Sequence, residues 1–99
     1  MHRWTISRAG MSVTVPDDRP LELGRHAETT ARLFADTTNV SRRHAIVCAV
    51  EQGLEVTDQQ SSNGTFVNGR RCTPFAPHPL GEGDELRLAM DVILGVTCG

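Results

Sequence analysis

Lysine and tyrosine are absent from this 99-residue chain, and its aromatics are Trp4, Phe34, Phe66 and Phe75 alone. Ten arginines against twelve acidic residues leave a net charge of −2. With no excess of cations to replace phosphate counterions, general nucleic-acid binding is not expected. Arginine in place of every lysine is what a GC-rich coding sequence produces, so only arginines inside motifs carry functional weight. The three cysteines, Cys48, Cys72 and Cys98, are odd in number and lack CxxC or Cys/His spacing, which excludes a disulfide framework or a zinc site. Cys48 lies in an apolar run and reads as a small buried hydrophobe. No run reaches membrane-spanning length and residues 1–5 hold no apolar leader core, so membrane insertion is not expected. The expected setting is cytoplasmic and reducing, where the sequons at Asn39 and Asn63 go unglycosylated.

What remains is a chain of one-domain size, 1–99, whose core must come from Val, Leu, Ile and Ala. Trp4–Ser7 and Met11–Val15 alternate apolar and polar residues around Arg8-Ala9-Gly10, a hairpin signal. Residues 16–20 form a Pro/Asp turn, and Leu21-Glu22-Leu23 alternates again. Residues 25–39 read as a long polar connection without helical spacing, with Arg32-Leu33-Phe34 as a possible short strand. Ala45–Val50 reads as a central strand buried on both faces, followed by an alternating strand at Leu54–Asp58. Asn63-Gly64 and Asn68-Gly69 mark two tight turns with a very short strand, Thr65–Val67, between them. Residues 73–79, with three prolines, read as an extended loop; Leu80 reads as a core anchor, residues 81–84 as a turn, and 85–88 and 92–96 as the last strands. About ten short strands and no helix of ten residues predict an all-β sandwich or barrel.

Charge is uneven along this pattern. Residues 24–44 hold Arg25, Arg32, Arg42 and Arg43 against Glu28 and Asp36; residues 82–91 hold Glu82, Asp84, Glu85 and Asp91 against Arg87. Two polar islands, Asn39–His44 and Ser61–Gly69, border the apolar strands, and Gly24-Arg25 lies upstream. Arg and Ser hydroxyls, with Asn amides, make a donor-rich set suited to an anion with several oxygens.

Leu23-Gly24-Arg25, Val40-Ser41-Arg42-Arg43-His44-Ala45, Ser61–Gly69 and Leu80-x-x-Gly83-Asp84-Glu85-Leu86, in this order, resemble the forkhead-associated (FHA) domain family, with a motif core at about 23–88. The resemblance implies a β-sandwich of about eleven strands, without substantial helix, whose loops at one end bind phosphothreonine peptides and catalyse nothing. By position, Arg25 and Ser41 would meet the phosphate, Arg42 would add a phosphate or backbone contact, Ser62 would help hold the phosphate, and Asn63 would bond the peptide backbone. Gly24, His44 and Gly64 would shape the site. By the same resemblance, Asn39 occupies a place that helps read the third residue after the phosphothreonine, where an Asn implies no strong demand for an acidic residue. The 25–41 stretch is slightly long for the family, which suggests a disordered or specificity-setting loop, and Ala89 stands where Gly is frequent. No cofactor or metal is implied, and the expected partner is a phosphothreonine protein, a Ser/Thr kinase or its substrate.

Two rival readings make different demands. An enzyme would pair Ser41 with His44, or Cys48 with a histidine, but no G-x-S-x-G elbow or third member is present. A phosphate-independent FHA-like interaction module would use sheet edges or the 26–39 loop, and would have no need of Arg25, Ser41 and Asn63.

Overall fold

Apolar residues at alternate positions can all face one side of a strand, so the alternating segments need a second sheet to cover them. In the computed structural model, which describes residues 3–99, they find one. The strands are β1 (Trp4–Arg8), β2 (Met11–Thr14), β3 (Leu21–Leu23), β4 (Ala45–Val50), β5 (Gly53–Asp58), β6 (Thr65–Val67), β7 (Arg70–Arg71), β8 (His78–Leu80), β9 (Leu86–Leu88) and β10 (Val92–Cys98). They form a six-stranded sheet, β2-β1-β10-β9-β6-β7, and a four-stranded sheet, β3-β4-β5-β8, both antiparallel. The fold is the expected β-sandwich.

The core lies between the sheets. Ile6, Val13, Leu86, Leu88, Val92, Leu94 and Val96 enter it from the larger sheet; Leu21, Leu23, Ala45, Val47, Leu54, Val56 and Leu80 enter from the smaller. Burying each large aliphatic side chain contributes about 1.5–3 kcal/mol, so these rows supply most of the drive to fold.

Several expectations change. Residues 32–34 are not a strand: Ala31–Phe34 form a single 3-10 turn, the only helix among the described residues. Adjacent Leu33 and Phe34 are both fully buried, which one face of a strand cannot achieve but a plug at the end of a sandwich can. Ala27, Thr30 and Val40 are buried too, and the Thr30 hydroxyl donates to the Glu22 carbonyl at 2.6 Å. Arg8 staples the plug from outside, bonding the Leu33 carbonyl at 2.8 Å and Asp36 at 2.7 Å. That bond, the largest influence, holds the Asp36 carboxyl below its ordinary range. The 25–41 stretch is thus packed, not disordered.

The β4 strand is central in its sheet but not buried on both faces. Ala45 and Val47 point inward, whereas Ile46 and Cys48 are half-buried on a face that no further layer covers. Cys72, rather than Cys48, is the buried thiol. The proline-rich 73–79 stretch ends in a strand, with Pro79 opposite Glu55 on the sheet edge, where a missing N–H costs no ladder bond.

Candidate functional site

Strands β3, β5 and β9 all end on one side of the sandwich, and β4, β6 and β10 start there. The connecting segments meet at that end. Backbone pairing between β3 and β4 runs on past the strands: His44 N–H donates to the Leu23 carbonyl at 2.8 Å, Arg25 N–H to the Ser41 carbonyl and His26 N–H to the Arg42 carbonyl, each at 3.2 Å. Gly24 is what permits this approach. A Cβ there would lie 2.1 Å from the Arg42 carbonyl oxygen and 2.8 Å from its carbon.

Arg25 is exposed, and its Nε donates to the Val40 carbonyl at 2.5 Å. That bond aims the guanidinium outward, and its two terminal nitrogens have no protein partner among the described residues. The Ser41 hydroxyl oxygen accepts the Ser62 backbone N–H at 3.2 Å, leaving its own proton free to donate. The Asn63 side-chain amide donates to the Asn39 carbonyl at 2.8 Å. Three segments, 23–26, 39–44 and 61–64, are therefore laced together with Arg25, Ser41, Arg42, Ser62 and Asn63 at their outer ends. Arg8, Arg19 and Arg43 pair with carboxylates, but Arg25 and Arg42 do not, among the described residues.

His44 is fully buried beneath these loops. Its Nδ1 accepts the Ser41 backbone N–H at 3.0 Å, so its Nε2 carries the proton and donates to the Gly64 carbonyl at 2.7 Å. Burial lowers its pKa from the ordinary 6.5, outweighing the Gly64 bond and the Asp58 charge, which raise it. Both ring nitrogens are thus occupied by backbone, and the Ser41 hydroxyl faces Ser62 rather than the imidazole. That geometry removes the Ser–His catalytic reading. Charging His44 would cost the Ser41 bond. Since the folded value is the lower one, the unfolded chain takes up this proton first as pH falls. The His44 contribution to stability is then expected to be full well above 6.5 and to decline below it toward the folded value, by up to about 1.4 kcal/mol per pH unit. Urea unfolding at about pH 7.5 and about pH 5.5 measures this, and an unchanged midpoint would contradict it.

Asp58 organises the third loop. Buried at the end of β5, it accepts the Ser61 hydroxyl, the Ser61 N–H at 3.2 Å and the buried Thr65 hydroxyl at 2.7 Å. The Ser61 hydroxyl oxygen accepts the Gly64 N–H at 3.1 Å in turn. Gly64 has φ +88, and its carbonyl takes both His44 and the Ala89 N–H, the latter at 2.9 Å. Ala89, in the position where Gly was the family expectation, holds φ 60. Of the two Asn-Gly pairs only Asn68-Gly69 is a hairpin turn, with φ 50 and 83. Arg71 lies outside the motifs, yet its guanidinium packs against Gly64 and lies 5.9 Å from the Phe66 ring centroid.

Among the described residues, no three His, Cys, Asp or Glu gather as a metal site, and no helix is long and apolar enough to cross a membrane.

Residues 21–89 match the FHA-domain family. An oxoglutarate dehydrogenase inhibitor from Corynebacterium diphtheriae is 40% identical over 72 residues, covering 72% of this chain and 47% of that protein. The E3 ubiquitin-protein ligase rnf8 of Danio rerio is 29% identical over 94 residues, covering 88% of this chain and 19% of that protein. The chain spans less than half the length of these relatives. The MEK1 FHA domain in complex with a HOP1 phosphothreonine peptide superposes with a TM-score of 0.78 at 19% identity, covering 95% of this chain and 94% of that one. An FHA domain from Chlamydia trachomatis gives 0.79 at 18% identity, covering 96% of both chains. At such identities the likeness is one of fold.

Proposed function

The chain belongs to the FHA-domain family, and from that premise we propose that the laced loops are a phosphothreonine-binding site and that the domain acts as a signalling or assembly adaptor. FHA domains are non-catalytic modules that bind phosphothreonine peptides. One observation carries the assignment to these residues: Arg25 is anchored through Nε with its outer nitrogens unpaired, beside Ser41 and Ser62, which are already joined to each other. Phosphothreonine brings close to two negative charges and several acceptor oxygens at neutral pH. Arg25 supplies paired donors and a permanent charge, Ser41 and Ser62 supply hydroxyls, Arg42 adds a second cation, and Asn63 stands ready for the peptide backbone. Gly24, His44 and Gly64 hold the loops in register.

The relatives named above differ in what the whole protein does, so the common part is the module. The partner is accordingly a protein carrying phosphothreonine, a Ser/Thr kinase or a substrate of one, met in the cytoplasm.

The test is capture of degenerate peptide pools, phosphothreonine, phosphoserine and unphosphorylated, on the domain and on Arg25→Ala. Phosphothreonine-selective binding is expected, with Arg25→Ala losing a charge-assisted contact of about 1.5–3 kcal/mol, roughly tenfold to a hundredfold in affinity. Equal capture of all three pools would overturn the proposal. The phosphate-independent reading has one observation in its favour, exposed Met90 and Ile93 on and beside β10 of the larger sheet. It predicts a partner that stays bound after phosphatase treatment.

A further inference from the structure

The candidate site is rich in donors, yet one carboxylate is built onto its rim. Asn39 links it to the site. The Asn39 carbonyl accepts the Asn63 amide at 2.8 Å, while the Asn39 side-chain amide donates to Asp91 Oδ1 at 2.7 Å. Asp91 is thus two hydrogen bonds from the residue assigned to the peptide backbone. It sits in the β9–β10 turn, which the Ala89 N–H ties to the site through the Gly64 carbonyl at 2.9 Å and which Arg87 braces from within through the Met90 carbonyl at 2.9 Å.

Asp91 is exposed, and among the described residues no arginine pairs with it, unlike Asp18, Glu22 and Asp36. Its carboxylate is held at the rim by a neutral amide, and the nearby Arg87 guanidinium is bonded to the Met90 carbonyl instead. Met90, the residue before Asp91 and 73% exposed, offers apolar surface on which the stem of a long basic side chain can lie.

Resting on the phosphothreonine reading, we propose that Asp91 is a specificity-determining residue that selects partners with Arg or Lys, and rejects those with Asp or Glu, at the peptide position lying over Asn39. The same end of the domain would then read two charges of opposite sign: the phosphate through Arg25 and Ser41, and a nearby cation through Asp91. Electrostatic discrimination of this kind acts through repulsion of the wrong peptide as much as attraction of the right one.

The experiment is fluorescence anisotropy with one phosphothreonine peptide varied to Arg, Gln or Glu at each flanking position, on the wild-type domain and on Asp91→Asn. Asparagine keeps an acceptor for Asn39 and removes the charge. At one position the wild type is expected to bind the Arg peptide about fivefold to tenfold more tightly than the Glu peptide. In Asp91→Asn the ratio should fall to near one with the Gln peptide unchanged, and added salt should lower the wild-type ratio. Phosphothreonine binding with no positional charge preference, or with a preference that survives in Asp91→Asn, overturns this inference alone. Absence of binding to any phosphothreonine peptide overturns it together with the site assignment.

Discussion

Replacing Asp58 with alanine is expected to destabilise the domain by about 2–4 kcal/mol and to abolish phosphopeptide binding. The carboxylate takes three donors, and two of them, the Ser61 hydroxyl and the Thr65 hydroxyl, belong to side chains with little else to bond. Thr65 is fully buried, so its hydroxyl would be stranded away from water. Ser61 would release Gly64, whose carbonyl orients His44, whose Nδ1 holds the Ser41 backbone. One deletion therefore loosens two of the three laced loops. His44 would also lose the nearby negative charge that raises its pKa, so the decline in stability with acid should extend further down. Urea denaturation with peptide titration measures both effects. A loss under about 0.5 kcal/mol would mean that the loop holds its shape without the carboxylate.

Gly24→Ala should be the most damaging of the glycine-to-alanine changes, since only there does the added Cβ meet backbone at 2.1 Å. The added Cβ would overlap the Arg42 carbonyl group, which is backbone and cannot rotate away as a side chain would. One loop must shift, which breaks the Arg25–Ser41 and His26–Arg42 backbone bonds that join the two segments carrying Arg25 and Ser41. The expected cost is about 1–3 kcal/mol in stability and more than about tenfold in peptide affinity. Gly69→Ala is the control. Its Cβ meets open space, so a left-handed backbone costs about 1–2 kcal/mol while affinity stays unchanged. Equal affinity losses in the two variants would show that binding follows global stability rather than loop geometry.

Where local pattern decides structure, the sequence was legible. The alternation of Leu54–Asp58 and Val92–Val96 became strands with one buried face, and Asn68-Gly69 became the hairpin turn that its composition demands. Legibility failed where tertiary contacts decide. Leu33 and Phe34 lie in a polar stretch with no period, and they fold as a plug because the sandwich has an open end to fill. Ala45–Val50 is uniformly apolar, which hides the fact that its outward face stays uncovered. Pro79 disguised a strand, since only an edge position spares it. At the site, Gly24, Ser41, His44 and Asn63 each carried a motif signal, and the loops do bring them together. Asp58 carried a weaker signal, an acid three residues before Ser61 that can collect its N–H and hydroxyl. Asp91 carried none, because its partner Asn39 is 52 residues away.

The most direct test of the central claim is an amide chemical-shift titration of the isotopically labelled domain with a phosphothreonine peptide and its unphosphorylated twin. Saturable shifts are expected at Arg25, Ser41, Arg42, Ser62 and Asn63 with the phosphopeptide, weakened in Arg25→Ala and missing with the twin. Saturable shifts confined to the outer faces of the sheets, alike for both peptides, would contradict that claim and move the binding surface away from the laced loops.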